Sequence, residues 1–396
     1  MNVKIFGQEL QWFFIMFGDA FRQGKQEAFE TLMLLAVAHF FKCYNPKELA
    51  DFLGIAHQRL YAEIQGWSLY YLREMLVRFL VKQAVEEVKP VCSKSAAPHS
   101  RAGLSLSADN SVIDRLGRWL RCTWSWYSGR WKKVVKGQDL LGIVLTLNGK
   151  VFPLYLGFCA KQGSANTDKP SLLIAMLTRL KDDFATEGVD LTTIPLTLDS
   201  WFVSEELRQA LYEVGVTKIV IAGKGNYVLT IKGTKRLASE WKKTLELAED
   251  LWGIDVPACR IKALNPTFGE GAVLFYRKST TRNYYLFDFS TTSLRGAEIW
   301  HIWKQHVWLE WFWKMLKSVL QIKAMRLHGI GLYTGLLVKV LAYLLLQRLQ
   351  RHAPFSHLSL LQLMRKIQRE ATLQNLMEEH FHLPNFFYRS MAGQTG

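Results

Sequence analysis

"IPLTLDSW", residues 194–201, is the stretch that decides the predicted fold. It is short, apolar and β-favouring, which is typical of a strand buried in the middle of a sheet. It leads directly into Asp199. A second stretch of this kind, "LSLSA" at residues 104–108, leads into Asp109. Two buried strands that each end at an aspartate therefore form the centre of the predicted fold.

The segments around these strands predict an α/β fold. Residues 138–160 contain two β-rich runs joined by an Asn-Gly pair, which is a typical hairpin turn. Helices are predicted at 169–188 and 204–215, and a further buried strand at 217–223. The order strand, hairpin, helix, strand, helix, strand predicts a mixed sheet with helices on its faces, as in the ribonuclease-H-like fold.

Changes in periodicity and composition divide the rest of the chain. Helical spacing of apolar residues precedes the strands, and a run rich in Pro, Ser and basic residues separates the two regions. The predicted segments are a helical N-terminal domain at 1–88, a linker at 89–103, the first part of the ribonuclease-H-like core at 104–224, a β-rich insertion at 225–292, a helical completion of the core with C-terminal helices at 293–380, and a tail at 381–396.

The charge of the chain favours a polyanionic partner. There are 50 Lys and Arg against 34 Asp and Glu, which gives a formal charge of +16 and a pI near 9.6. Such a surplus is typical of proteins that bind nucleic acid or an anionic membrane, although a merely basic protein is the alternative. The most membrane-like segment, residues 329–347, carries Lys339 in its middle, so we interpret it as a buried core helix.

The cysteines predict no metal centre and no disulfide framework. All five are far apart in the sequence and form no CxxC pair. The N-terminal stretch has neither the basic region nor the small-residue cleavage site of a secretory signal. We therefore expect a cytoplasmic protein with reduced thiols.

Residues 45–64, "NPKELADFLGIAHQRLYAEI", predict a helix-turn-helix. Asn45 can cap a helix with Pro46 in its first turn, and Gly54 suits the tight turn that follows. Many helical hairpins share this pattern, so a purely structural hairpin is the alternative. If the segment binds DNA, the second helix would present His57, Gln58 and Arg59 to a groove or to phosphates.

Residues 115–133 interleave basic and aromatic side chains. Cations neutralise phosphates and aromatic faces stack on exposed bases, so this segment suits a DNA contact beside Asp109. The alternative is a β-hairpin that packs its tryptophans on the core. The cations predicted to meet DNA are Arg118, Arg121, Arg130, Lys132 and Lys133.

Asp109 and Asp199 are predicted to emerge at the same edge of the sheet, because their strands are neighbours in this order. Glu310 lies in "IWKQHVWLEWFWKMLKSVL", residues 302–320, a predicted helix that could pack across that edge. Three clustered acids stay ionised only if cations neutralise them, and hard oxygen ligands favour Mg²⁺ or Mn²⁺. The alternatives are that each aspartate merely caps the next helix, and that Asp288 is the third acid.

These residues resemble those of the DDE-type transposases of bacterial insertion sequences, in the IS-four-like branch. That branch carries the signature Y-x2-R-x3-E-x6-K, which aligns with Trp303, His306, Glu310 and Lys317. The glutamate and lysine match, whereas tryptophan replaces tyrosine and histidine replaces arginine. "SADNSVIDRLG", "VVKGQDLLGIVL" and "LTLDSWFVSEEL" resemble further blocks of the family, and the similarity covers about 104–345.

The resemblance implies an enzyme that cleaves the ends of an insertion sequence and joins them to target DNA. Asp109, Asp199 and Glu310 would hold two Mg²⁺ or Mn²⁺ ions, and Trp303, His306 and Lys317 would contact DNA. The expected partners are terminal inverted repeats and target DNA, with a homodimer in the DNA complex and no membrane. Two alternatives stay open: an impaired descendant that only binds DNA, and a ribonuclease-H-like nuclease without strand transfer.

Overall fold

The computed structural model of this chain describes residues 3–20, 26–58, 60–61, 69–92, 103–115, 122–129, 131–160, 168–248, 254–266, 269–277, 283–324 and 331–381. It is mixed α/β, which confirms the predicted class. The chain divides into two compact units. The helical unit consists of Met1–Gln83, Val112–Gln138 and Phe312–Gly396, and the sheet unit of Ala84–Ser111 and Asp139–Trp311.

The α-helices described are α1 (Val3–Ala20), α2 (Gln26–Ala38), α3 (Pro46–Leu53), α4 (Leu69–Cys92), α5 (Lys169–Thr186), α6 (Glu205–Val214), α7 (Ala238–Thr244), α8 (Gly296–Lys304), α9 (His306–Lys314), α10 (Gly331–Gln350), α11 (Leu360–Glu370) and α12 (Leu373–His380). A π-helical turn, Met315–Val319, follows α9, and a 3-10 turn, Ser200–Phe202, follows Asp199.

The strands are β1 (Leu104–Ile113), β2 (Trp124–Ser128), β3 (Lys133–Leu147), β4 (Lys150–Phe158), β5 (Leu196–Leu198), β6 (Ile219–Ala222), β7 (Val228–Ile231), β8 (Thr234–Leu237), β9 (Ala258–Asn265), β10 (Gly269–Arg277) and β11 (Asn283–Asp288). They form one sheet in the order β2-β3-β1-β5-β6-β11-β10-β9-β7-β8, and β4 pairs with β3.

The centre of this sheet matches the sequence prediction. β1 pairs with β5, and β5 with β6, both in parallel. The β3–β4 hairpin turns at Asn148-Gly149, and both residues have the positive φ that this type of turn requires. Strands β7 to β11 extend the sheet beyond β6, because β11 pairs antiparallel with β6. The β-rich pieces of 225–292 therefore belong to the same sheet as the two aspartate strands.

β1 differs from its predicted length. It runs past Asp109 to Ile113, so Asp109 lies inside the strand and not at its end. Its parallel pairing with β5 nevertheless stops at Ala108 and Leu198. In the predicted linker, α4 continues through Pro90 to Cys92, and residues 93–102 lie outside the described part of the chain.

The first predicted helix of the helix-turn-helix is confirmed. The Asn45 side chain accepts a hydrogen bond from the Glu48 amide at 3.2 Å, and Pro46 occupies the first turn of α3. Gly54 ends the helix in the left-handed region, at φ 66°. Helical backbone resumes at His57, so a tight turn does separate two helical segments.

α10 is the central helix of the helical unit. It packs against α1, α2 and α11. By length and composition, residues Leu332–Gln350 could cross a membrane, but 89% of them are buried inside the protein. This burial supports the interpretation as a core helix.

Lys339 lies within α10 and is fully buried. Its Nζ donates to the Leu320 carbonyl at 2.7 Å, directly after the π-helical turn. Burial lowers the pKa of Lys339 to about 7; Arg115 lowers it further and Glu48 opposes the shift. The ammonium group thus satisfies a carbonyl at a helix end, at the cost of desolvation.

We expect Lys339 to make stability depend on pH. Its folded-state pKa is below its unfolded value, so the penalty for burying the charge is full below pH 7 and is relieved at higher pH. Between about pH 7 and pH 9, the unfolding free energy of the wild type should rise by about 2 kcal/mol relative to Lys339→Met. Guanidinium chloride unfolding measures this, with the exposed Lys47→Met as control. Parallel pH profiles for wild type and Lys339→Met would contradict the prediction.

Candidate functional site

The register of β1 and β5 brings the two predicted aspartates together. Ala108 is paired with Leu198, so Asp109 and Asp199 are the next residues on two adjacent parallel strands. Each carboxylate accepts a hydrogen bond from the backbone N–H of the following residue, at 2.7 Å in both cases. The two strands thus present their acids in the same way at one edge of their pairing.

Burial and neighbouring acids shift the pKa of Asp109. Burial raises its pKa to about 7, and repulsion from Asp199 is the next cause. The Asn110 N–H opposes the shift, while Glu310 and Asp139 raise the pKa further. The third predicted acid, Glu310, therefore lies within electrostatic range of the first.

Glu310 is exposed on α9, whereas its neighbour Leu309 is buried in the core. Two further exposed side chains of the helix, Trp308 and Trp311, flank it in the sequence. The buried apolar side chains hold α9 against the core, and the acid lies on its solvent-facing side. Asp199 has a similar neighbour, because Trp201 is 62% exposed two residues further on.

His306 corrects one prediction. It was expected to contact DNA, but its side chain is only 4% exposed and its Nδ1 lies 2.9 Å from Thr197 Oγ1. Burial lowers the pKa of His306 to about 4, against the opposing effect of Asp199, so the ring is neutral at neutral pH. A neutral, buried imidazole cannot hold a phosphate as an arginine does. Its contact with β5 instead fixes the start of α9, and so positions Glu310.

Trp303 lies beside His306, and Lys317 follows α9. Trp303 is half-buried and stacks on His306, with ring centroids 4.6 Å apart and planes 9° apart. It packs against the core cluster that includes Ile299 and Trp300, and so supports His306. Lys317 lies in the π-helical turn and is half-buried. The DNA contacts expected of both residues stay predictions.

Asp139 and Lys169 belong to the site and were missed in the sequence. Asp139 on β3 is completely buried, and its carboxylate lies 2.8 Å from Lys169 Nζ and accepts a hydrogen bond from Asn110 Nδ2 at 2.8 Å. Lys169 also lies 4.7 Å from the ring centroid of Trp201. The available signal was an aspartate directly before the apolar run "LLGIVLTL", because an acid buried with such a run requires a partner.

Tyr227 forms a hydrogen bond with the segment that follows Asp199. Its hydroxyl donates to the Ser200 carbonyl at 3.0 Å. Burial raises the pKa of Tyr227, and the charge of Asp199 adds to this. The tyrosine therefore remains protonated at neutral pH and holds the 3-10 turn beside the aspartate.

Asp288, the rival third acid, has a structural role. It is almost completely buried, and its two carboxylate oxygens accept hydrogen bonds from the Ser290 N–H at 3.0 Å and the Leu294 N–H at 2.7 Å. Burial raises its pKa, and these bonds counteract the shift. Asp288 thus organises the loop before α8, and Glu310 is the better third acid.

Within the predicted basic and aromatic segment, Trp124–Ser128 form β2, which pairs antiparallel with β3, and Trp126 lies opposite Val135. Tyr127 and Trp131 are exposed, as are Lys132 and Lys133, so the hairpin does not bury all its aromatic rings. Elsewhere, His57 is half-buried and Gln58 is exposed. The remaining cations of these two predictions lie outside the described residues: Arg59, Arg118, Arg121 and Arg130.

The donor set at the sheet edge has the chemistry that a hard divalent cation prefers. Three carboxylates, Asp109, Asp199 and Glu310, share one region: burial raises the pKa of Asp109 most, and repulsion from Asp199 and Glu310 adds to the shift. Within the described residues, no three His, Cys, Asp or Glu side chains converge closely enough to enclose a metal ion as they stand. The acids are near one another without being assembled around one point.

Comparisons with known proteins give no family: no model of a known protein family matches the chain, and no curated protein does.

Asp109 makes stability depend on pH in the opposite direction to Lys339. Its folded pKa of about 7 is above the unfolded value, so the penalty is absent below about pH 4 and complete above pH 7. In the presence of a chelator, the unfolding free energy of the wild type should fall by roughly 3 kcal/mol relative to Asp109→Asn between pH 4.5 and pH 8. Asp182→Asn, an exposed acid on α5, is the control. A constant difference between wild type and Asp109→Asn would disprove the shift.

A substitution at His306 tests whether this residue positions α9 or contacts DNA. Replacing His306 with Arg introduces the residue of the resembled signature but puts an uncompensated charge into a buried space. We expect His306→Arg to lower the unfolding free energy by about 3 kcal/mol and not to tighten DNA binding. Thr197→Val, which removes only the hydrogen-bond partner, should cost about 1 kcal/mol. An arginine variant as stable as wild type, with tighter DNA binding, would restore the original interpretation.

Proposed function

We propose that the protein is a metal-dependent DNA transposase, which cleaves the ends of an insertion sequence and joins them to target DNA. The observation that supports this most strongly is the placement of Asp109 and Asp199 at matching positions on adjacent parallel strands, with Glu310 in electrostatic range. Three acids of this kind are what the DDE resemblance requires.

The strand order supports a ribonuclease-H-like core. In β4-β3-β1-β5-β6, an antiparallel hairpin lies beside three parallel strands. α5 connects β4 to β5, and α6 connects β5 to β6. Such crossover helices are what parallel neighbours need, and this order is the one expected of that fold.

In this proposal Asp109, Asp199 and Glu310 hold two Mg²⁺ or Mn²⁺ ions. When bound, such a pair of ions activates an attacking oxygen and stabilises the leaving oxygen of a phosphodiester. The chain itself contributes the positions of the ligands. Thr197, between Ser107 and His306, ties both aspartate strands to the helix of Glu310: its Oγ1 donates to Ser107 Oγ at 2.8 Å and lies 2.9 Å from His306 Nδ1.

Other side chains of the site suit a nucleic-acid substrate. The exposed rings of Trp201, Trp308 and Trp311 can stack on unpaired bases at a cleaved end. Lys169 neutralises Asp139, so the negative charge available for cations is that of the three proposed ligands. The net charge of +16 suits long double-stranded DNA as partner.

The remaining parts of the proposal follow from the resemblance. The helix-turn-helix of the N-terminal region would bind the terminal inverted repeats, and a homodimer would form on DNA because joining two ends requires two active sites. The protein would act in the bacterial cytoplasm, at the nucleoid.

The test is metal-dependent cleavage of a plasmid that carries the gene's own flanking DNA. With Mg²⁺ or Mn²⁺, the wild type should cut at defined ends and give joined products. Asp199→Asn and Glu310→Gln should each reduce cleavage by at least about a hundredfold, because each removes a proposed metal ligand. Glu213→Gln, an exposed acid on α6, is the matched control and should cleave as the wild type does.

The other outcomes identify the alternatives. Cleavage that is lost in both variants but yields no joined product would mean a nuclease. DNA binding without cleavage in either metal would mean a descendant that only binds DNA. Cleavage that survives both substitutions would remove the acids from the mechanism.

A further inference from the structure

A basic cleft lies in the helical unit, in the C-terminal region that was predicted only as helical. It has a volume of about 590 Å³ and is bordered by α11 and by the loop that precedes it. Its polar walls are His357, Gln362, Arg365, Lys366, Gln368 and Arg369. Among the residues that the structure describes, no acid contributes to the lining.

The orientation of α11 is fixed by its other face. Leu363, Met364 and Ile367 are buried, and Ser359 caps the first turn together with Gln362. Arg365 and Arg369 are exposed and stand one turn apart. The helix therefore holds two guanidinium groups side by side towards solvent on a rigid support.

Few ion pairs within the described part of the fold balance the charge of these cations. In the described part of the chain, neither Arg365 nor Arg369 is in an ion pair, while Lys366 pairs with Glu370. In sequence, residues 311–369 contain ten Lys and Arg and no Asp or Glu. Like charges one turn apart destabilise a helix by a few tenths of a kcal/mol, so the pattern gives no advantage in folding. A polyanion would supply the missing counter-charge.

The geometry favours duplex DNA over a membrane. A helix that lies on a lipid surface inserts its apolar face, but here that face is buried in the protein. Exposed arginines in an open cleft suit an extended backbone, because each guanidinium fork can grip a phosphate through paired hydrogen bonds.

We propose that this cleft binds the sugar-phosphate backbone of double-stranded DNA, independently of sequence, through Arg365 and Arg369. The choice of DNA as the partner of this cleft rests on the proposed function. It does not depend on the acids or on a metal, so binding measured without a divalent ion tests it separately from cleavage.

The experiment uses the full chain and a duplex of about 30 base pairs of arbitrary sequence, with a chelator present. The double variant Arg365→Gln/Arg369→Gln should bind about tenfold more weakly than wild type near physiological salt. The slope of log affinity against log salt should decrease by about 2, because two phosphate contacts are lost. Lys235→Gln/Lys262→Gln removes the same charge from exposed positions of the sheet unit and should change affinity by less than about threefold.

Two further measurements make the result decisive. Thermal unfolding should be the same for both double variants, which shows that the α11 substitutions leave the fold intact. Co-sedimentation with vesicles of phosphatidylcholine and phosphatidylserine tests the other polyanion. Equal DNA affinity for the two double variants would overturn the proposal, and so would loss of vesicle binding with DNA binding unchanged. With DNA binding weakened as expected, failure of cleavage would count against the proposed function alone.

Discussion

The parallel pairing of β1 with β5 is the constraint on which the candidate site depends. Both strands are covered on both faces, because residues on either side of each strand are completely buried: Leu106 and Ser107 on β1, and Leu196 and Thr197 on β5. Side chains alternate along a strand, and a slip of one residue would turn Asp109 or Asp199 to the opposite face. The Thr197–Ser107 hydrogen bond lies inside the paired segment and makes such a slip costly, since it would leave buried hydroxyls without partners.

The buried acids of the sheet differ in how far the fold compensates them. Asp139 is compensated by Lys169 and Asn110, and Asp288 by two backbone N–H groups. Asp109 has one backbone N–H and faces other acids; burial, and then repulsion from Asp199, raises its pKa to about 7. Perturbed acids of this kind are typical of functional sites, and this perturbation supports the proposed cation site.

Local pattern was enough to predict the five strands β1 and β3–β6 apart from the length of β1, the adjacency of the two aspartates and the capping of α3, because each depends on neighbouring residues or on strand order. The sequence did not indicate which polar side chains would be enclosed. His306 was predicted at the surface because helix periodicity does not show that Thr197 on a distant strand offers it a hydrogen bond. Lys169 and Asp139 are 30 positions apart, and the apolar spacing of 302–320 predicts a helix without distinguishing the π-helical turn beyond α9.

The burial of His306 also changes what its departure from the signature means. In the signature that the chain resembles, this position is an arginine. In this fold the histidine is neutral and joins the helix of Glu310 to the strand of Asp199, so its loss of charge follows from a positioning role. In the proposed function, the phosphate charge would be met by other cations: the exposed lysines of the β2–β3 hairpin and the cations of the acid-free stretch that ends at α11. Introducing the signature arginine would remove a structural contact at a buried position, so the proposal assigns the affinity for DNA to cations that the signature does not include.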